Sequence, residues 1–123
     1  MSETDLKERL EQELDRLRER QELVTYRDLA VRLDMAGPHK IHRLTELLEE
    51  TMREDHAAGR PLRAASVVSR TSGNLPQRGF FQLLRELGHY NGSDAGADAQ
   101  AVHRNELERL WAAGSSGQQG TRG

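Results

Sequence analysis

The chain has 123 residues, of which 35% are hydrophobic, 31% are charged and only 4% are aromatic, a composition typical of one soluble domain with a modest core and a heavily charged surface. Cysteine is absent, which excludes disulfides, thiolate nucleophiles and cysteine-based zinc sites. The sequence contains no apolar run of the roughly 20 residues that a membrane span needs, and its polar N-terminus is unlike a secretory signal, so we expect a cytoplasmic protein with no membrane partner.

Charge is distributed unevenly along the chain, although the net charge is only −2. Residues 1–22 carry eight acidic and five basic side chains. Residues 56–88 have a net charge of +4, because five arginines stand against Glu86 alone. The molecule as a whole therefore lacks a field that attracts polyanions, but its middle is locally basic. We call these five residues the arginine island: Arg60, Arg63, Arg70, Arg78 and Arg85.

The first predicted element is an amphipathic acidic helix within residues 1–22. Its apolar stripe follows helical spacing and consists of Leu6, Leu10, Leu14 and Leu17. The stripe can pack on the rest of the domain. Alternatively, residues 5–20 can dock on a protein partner or on a second copy of the chain, although two heptads are fewer than a coiled coil needs. The sequence is compatible with both arrangements.

Two further helices are predicted on either side of a glycine-containing turn. Thr25 followed by Asp28 has the spacing of a capping box at the start of a short helix. Met35, Ala36 and Gly37 end that helix, and Pro38 begins another that runs to about Ala57. This is the pattern of a helix-turn-helix, which any helical hairpin in a bundle also produces.

Polar residues along the third helix do not assemble a metal or catalytic site in this reading. His39 and His42 are three residues apart, but the pattern supplies no third histidine or carboxylate to complete a site with them, so we expect histidines at the surface or facing a polyanion. Glu49, Glu50, Glu54 and Asp55 are predicted to form a solvated outer face. We expect no metal and no cofactor.

The best strand candidate is Leu62 to Arg70, where apolar and polar residues partly alternate before the turn-forming residues 71–74. A short extended return after the turn predicts a small β-hairpin. Phe80 and Phe81 then anchor a helix that ends at Gly88. Beyond it we predict a linker over 91–98, a C-terminal helix over 99–113 and a disordered tail over 114–123.

The predicted fold is mainly α with a small β-hairpin: a winged-helix-like core over residues 23–90, made of a helix-turn-helix and a wing, with extra N- and C-terminal helices. Residues 24–88 resemble the winged-helix domain of the O6-alkylguanine-DNA alkyltransferases and the alkyltransferase-like proteins. The points of likeness are Val24-Thr25-Tyr26, Leu29-Ala30, the following glycine-containing turn and helix, Pro61-Leu62, Val67-Val68, and a turn with Gly73 and Leu75.

The resemblance implies the fold without the repair reaction. In the alkyltransferases a Pro-Cys-His-Arg block precedes the paired valines, whereas this chain has Arg63-Ala64-Ala65-Ser66 there. The alkyl-accepting cysteine and the activating histidine are both missing. The alkyltransferase-like proteins also lack the cysteine but keep the proline and histidine of the block. The helix from Pro38 is also longer and more acidic than the DNA-contacting helix of that family.

From these features we expect a non-catalytic accessory or regulatory protein that binds duplex DNA, with no small-molecule substrate. The helix from Pro38 would reach a groove while the basic strand and turn contact the phosphate backbone. The candidate DNA-binding residues are His39, Lys40, Arg43, Arg63, Arg70 and Arg78. The opposing interpretation is that the arginines pair with the acidic first helix, within the fold or across an oligomer. A protein-interaction adaptor that docks through the N-terminal helix is the alternative function.

Overall fold

In the computed structural model of the chain, residues 3–122 are described, and for residues 3, 72 and 114–122 the description is confined to the backbone. Over this range the fold consists of five α-helices, two short 3₁₀ helices and one two-stranded sheet, so the prediction of a mainly α protein is confirmed. In chain order the elements are α1 (Glu3–Arg20), β1 (Val24–Thr25), α2 (Tyr26–Arg32), α3 (Lys40–Ala57), the 3₁₀ helix Arg63–Ser66, β2 (Val67–Val68), the 3₁₀ helix Arg70–Ser72, α4 (Arg78–Glu86) and α5 (Gly96–Arg122).

Helix α1 buries its predicted stripe inside the domain. Leu6, Leu10, Leu14 and Leu17 are all buried, and α1 packs against α5 and the 3₁₀ helix Arg63–Ser66. Its outward positions carry the charged side chains, as expected of an amphipathic helix. The leucines therefore belong to the core of the single chain.

Local capping signals fix the ends of α2. The backbone N–H of Asp28 donates to Thr25 Oγ1 at 3.1 Å, so Thr25 is the N-cap that the sequence predicts. After Arg32 the chain leaves the helix through Asp34, whose φ of 56° lies in the left-handed region. Helix α3 begins at Lys40 with His39 as its N-cap, two residues later than the start predicted at Pro38.

The predicted hairpin over Leu62 to Arg70 is wrong in its main feature. Only Val67–Val68 is a strand, and it pairs in parallel with β1, in the register Val24 to Val67 and Thr25 to Val68. A single antiparallel bridge, between Ser69 and Leu75, closes the following turn. The turn itself is where the sequence places it, with Gly73 and Asn74 at φ values of 66° and 63°.

Side chains from distant helices explain why the first half of this segment is helical. The N–H of Leu62 donates to Glu106 Oε2 on α5 at 2.8 Å, and the N–H of Arg63 donates to Asp55 Oδ2 on α3 at 3.0 Å. The ring nitrogen Nε2 of His103, also on α5, lies 2.8 Å from the carbonyl oxygen of Ala65. Because these backbone groups are satisfied by side chains, they need no partner strand.

The prediction that Asp55 lies on a solvated outer face of the helix is wrong. Its carboxylate is fully buried. Oδ1 accepts from Arg60 Nη2 at 3.0 Å and from Arg63 Nε at 3.1 Å, while Oδ2 accepts the Arg63 backbone N–H. A buried carboxylate needs this degree of pairing, because desolvating an unpaired charge costs several kcal/mol.

The last helix, α5, begins at Gly96, and its helical backbone extends to Arg122. It is anchored in the fold by the buried residues Ala99, His103, Glu106, Leu107 and Leu110. Residue 123 lies outside the described residues.

The two phenylalanines of α4 are core anchors, as predicted. Phe80 and Phe81 are buried, with their ring centroids 5.3 Å apart in an edge-to-face arrangement. Across the described part of the chain, none of the helices is both long enough and apolar enough to cross a bilayer.

Replacing the buried carboxylate of Asp55 tests how much it contributes to the free energy of unfolding. We expect Asp55→Asn to lower the free energy of unfolding by about 3–5 kcal/mol, because Arg60 and Arg63 would keep their charges without the carboxylate that compensates them. The measurement is the midpoint and slope of urea unfolding followed by circular dichroism.

The neighbouring Glu54→Gln is the matched control. Glu54 is exposed, bonds to Lys7 at 2.9 Å and lies 3.8 Å from Arg63, whose charge stays paired with Asp55 in this variant, so the loss should cost less than about 1 kcal/mol. Equal effects of the two substitutions would contradict the role given to Asp55.

Candidate nucleic-acid interface

A cleft of about 580 Å³ opens between the start of α2, the start of α3 and the turn that follows β2. We call it the α2–α3 cleft. Its volume is in the range of sites that hold one small molecule or one group of a larger ligand. The residues that matter for its chemistry are Tyr26, Arg27, Ile41, Ser69, Arg70 and Thr71.

Tyr26 forms a rigid wall of the cleft. Its hydroxyl oxygen accepts a hydrogen bond from the backbone N–H of Gln77 at 3.0 Å, and its side chain is buried. Burial raises the pKa of Tyr26 to about 12, and the nearby charge of Glu49 acts in the same direction. At neutral pH this residue is therefore a fixed, uncharged phenol.

Hydroxyl groups on the opposite side bond to each other. Ser69 Oγ and Thr71 Oγ1 are 2.8 Å apart, on the turn after β2. Both hydroxyl groups can donate or accept a hydrogen bond at the surface of the cleft.

Three charged side chains among the described residues line the cleft, the carboxylate of Asp28 and the guanidinium groups of Arg27 and Arg70, so its net charge is positive by one. Arg27 and Arg70 both line it and are exposed, and neither side chain makes an ion pair or hydrogen bond with another described residue. Arg27 is not among the candidates predicted from the sequence. Its position directly after Tyr26, at the capped start of α2, is the feature that could have indicated it. Unpaired guanidinium groups beside a concave surface favour an anionic ligand.

Arg63, a candidate from the sequence, lies elsewhere. Its side chain is only 11% exposed and is held by Asp55 at 3.0 Å and by Glu11 of α1 at 3.2 Å. It lines a separate cavity beside Asp15 and Arg18. Arg63 and Arg70 therefore do not flank one surface, and we exclude Arg63 from the candidate interface.

The other members of the arginine island also have acidic partners. Arg60 bonds to Asp55 at 3.0 Å, Arg85 to Asp94 at 2.6 Å, and Arg78 lies 3.8 Å from the same Asp94. Arg78 remains largely exposed. Within the described residues, Arg70 is the island member whose side chain makes no ion pair. Pairing with the first helix is found for Arg63 through Glu11, whereas the acidic partners of Arg60, Arg78 and Arg85 are Asp55 and Asp94.

The first turn of α3 borders the cleft through Ile41. Lys40 is half-buried beside it, and His39 and Arg43 are exposed. One turn further, Glu46 lies 3.6 Å from His42, and beyond it the exposed face of the helix carries Glu50, Arg53 and Glu54. The basic residues considered for the interface are therefore those at the start of α3 together with Arg27 and Arg70, and Asp28 lines the cleft with these two arginines.

The raised pKa of Tyr26 gives a pH-dependent prediction. An unfolded tyrosine ionises near its ordinary pKa of 10, whereas Tyr26 in the fold ionises near 12. Its contribution is complete below pH 10 and is lost as the pH rises towards 12, so the free energy of unfolding should fall by roughly 2–3 kcal/mol over this interval.

Absorbance at alkaline pH follows this titration directly. The chain has two tyrosines, so a Tyr90→Phe variant leaves Tyr26 as the single reporter. We expect an inflection near pH 12 for the folded variant and near pH 10 in concentrated urea. An inflection near pH 10 in the folded variant would contradict the burial argument.

Comparisons with known proteins found no relative of this chain. The chain matches no protein-family model, no curated protein and no solved structure.

Proposed function

We propose that the protein is a non-catalytic nucleic-acid-binding accessory or regulatory factor that contacts the backbone of duplex DNA at the α2–α3 cleft. The observation that carries the proposal is the pair Arg27 and Arg70, two exposed guanidinium groups lining one cleft without partners among the described residues. Arginine matches phosphate oxygens with a planar fork of donors, which makes it well suited to backbone contacts.

The neighbouring elements suit the same ligand. Helices α2 and α3 are joined by a short glycine-containing turn, and the first turn of α3, which borders the cleft through Ile41, also carries Lys40 and Arg43. In a helix-turn-helix, the first residues of the second helix approach the groove while flanking residues hold the phosphates. The turn after β2, which carries Arg70, would take the place of the wing. This winged-helix-like arrangement, and its likeness to the alkyltransferase domain, are part of the proposal.

The acidic face of α3 limits the contact. Glu46, Glu50 and Glu54 are exposed along the helix, and they repel a duplex that runs along it. We therefore propose a small footprint of Arg27, Lys40, Arg43 and Arg70, with His39 and Arg78 at its margin. Affinity should fall with the logarithm of salt concentration with a slope of about −3, the value for three to four neutralised phosphates.

Docking of a protein through residues 5–20 has less support. Leu6, Leu10, Leu14 and Leu17 are buried against the chain's own core, so a partner could use only the charged outer face of α1. Removing residues 1–22 would also expose that core, and we expect it to unfold the domain rather than leave a folded scaffold.

Fluorescence anisotropy with a labelled duplex at about 50 mM salt tests the proposal, because backbone contacts are strongest at low ionic strength. We expect the double variant Arg27→Ala with Arg70→Ala to bind more weakly and to reduce the magnitude of the salt slope by about 2.

Arg20→Ala with Arg104→Ala is the matched control, since both side chains are exposed and lie on α1 and α5, away from the cleft. It removes the same charge and should leave the salt slope unchanged. Failure of the wild type to bind DNA at low salt, or equal weakening by the two double variants, would refute binding through the cleft.

A further inference from the structure

Two histidines from different helices meet at the surface, in a place that the proposed function does not use. His56 lies in the last turn of α3, and His89 follows the end of α4. Nδ1 of His56 and Nε2 of His89 are 2.6 Å apart, and the ring planes are inclined at 74°. Both residues are exposed, so an ion from solvent can reach the facing nitrogens.

The backbone around both rings is held in place. The N–H of His89 donates to the carbonyl of Leu84 at 2.9 Å, and the carbonyl of His56 accepts from Gly59 at 3.1 Å. Three residues before each histidine, Arg53 lies 3.6 Å from Glu86, which joins the same two helices. The two imidazoles are therefore preorganised by their helices, and a ligand does not have to gather them.

The position also suits a cation. The C-terminal end of a helix carries a partial negative charge, and here the ends of α3 and α4 come together. Arg53 and Glu86 are paired, so the nearest charged side chains on these helices compensate each other.

The distance between the nitrogens selects among metals. With metal–nitrogen bonds of about 2.0–2.1 Å, two ligands at a right angle place their nitrogens about 2.9 Å apart, and tetrahedral ligands about 3.4 Å apart. Both geometries require the two exposed rings to separate and to turn, so that their lone pairs point at the metal instead of at each other. The right-angled arrangement requires the smaller separation, which favours Cu²⁺ over Zn²⁺.

We propose that His56 and His89 form a binding site for one divalent transition-metal ion, with Cu²⁺ bound most tightly. In the metal-free protein the N–H of one ring donates a hydrogen bond to the facing nitrogen of the other ring. When the metal binds, the donor ring changes tautomer, so that its proton is on the nitrogen that faces away. Both facing nitrogens then offer a lone pair to the metal. No third histidine, aspartate or glutamate joins the pair among the described residues, so water completes the coordination. The bound ion links the ends of α3 and α4.

Isothermal titration of the full chain with CuCl₂, combined with electron paramagnetic resonance, tests the site. We expect one strong Cu²⁺ per chain with a two-nitrogen signal, and a rise in the melting temperature because the metal binds the folded state. His56→Gln and His89→Gln should each weaken binding at least about tenfold, since the second ligand no longer acts intramolecularly.

The control is the double variant His39→Gln with His42→Gln, which removes the other pair of exposed histidines and should bind Cu²⁺ as the wild type does. Both substituted sites are exposed, and circular dichroism checks that each variant is folded. Wild-type binding in either His56→Gln or His89→Gln, or no strong site in the wild type, overturns the proposal. Neither result bears on DNA binding at the cleft.

Discussion

Asp55 points its carboxylate from α3 into the core, where two arginine side chains and one backbone N–H meet it. The segment that it holds, Arg63–Ser66, is the place where α1, α3 and α5 all pack. Glu106 and His103 fix the same segment from the side of α5. The helices are thus arranged around a stretch of backbone whose polar groups they satisfy, and β2 continues directly from it into the sheet.

Local signals predicted the parts of the fold that depend on neighbours in sequence. The leucine stripe of α1, the Thr25 cap and the phenylalanines of α4 each follow from residues within about three helical turns of one another. The strand predicted at Leu62 to Arg70 failed because its competitors are distant: the acceptors for its N–H groups come from residues 55 and 106. A carboxylate on an amphipathic helix gives no sign of whether it faces water or a buried arginine.

The candidate site shows the same limit. Summing charges along residues 56–88 identified a basic region, but four of its five arginines have carboxylate partners in the fold. The surviving basic surface joins Arg70 to Arg27 and to the first turn of α3, three segments that are separate in sequence. Charge along a sequence therefore overestimates charge at a surface, because pairing is decided by packing.

The packing of α1 against α5 places constraints on how the chain folds during synthesis. Helix α1 leaves the ribosome before α5, yet its leucines are covered by α5 and by the Arg63–Ser66 segment. Until residues near 110 have emerged, the leucine stripe has no permanent partner and is exposed to other chains. The acidic and basic residues along the rest of α1 oppose aggregation of the exposed leucine stripe until the domain has folded.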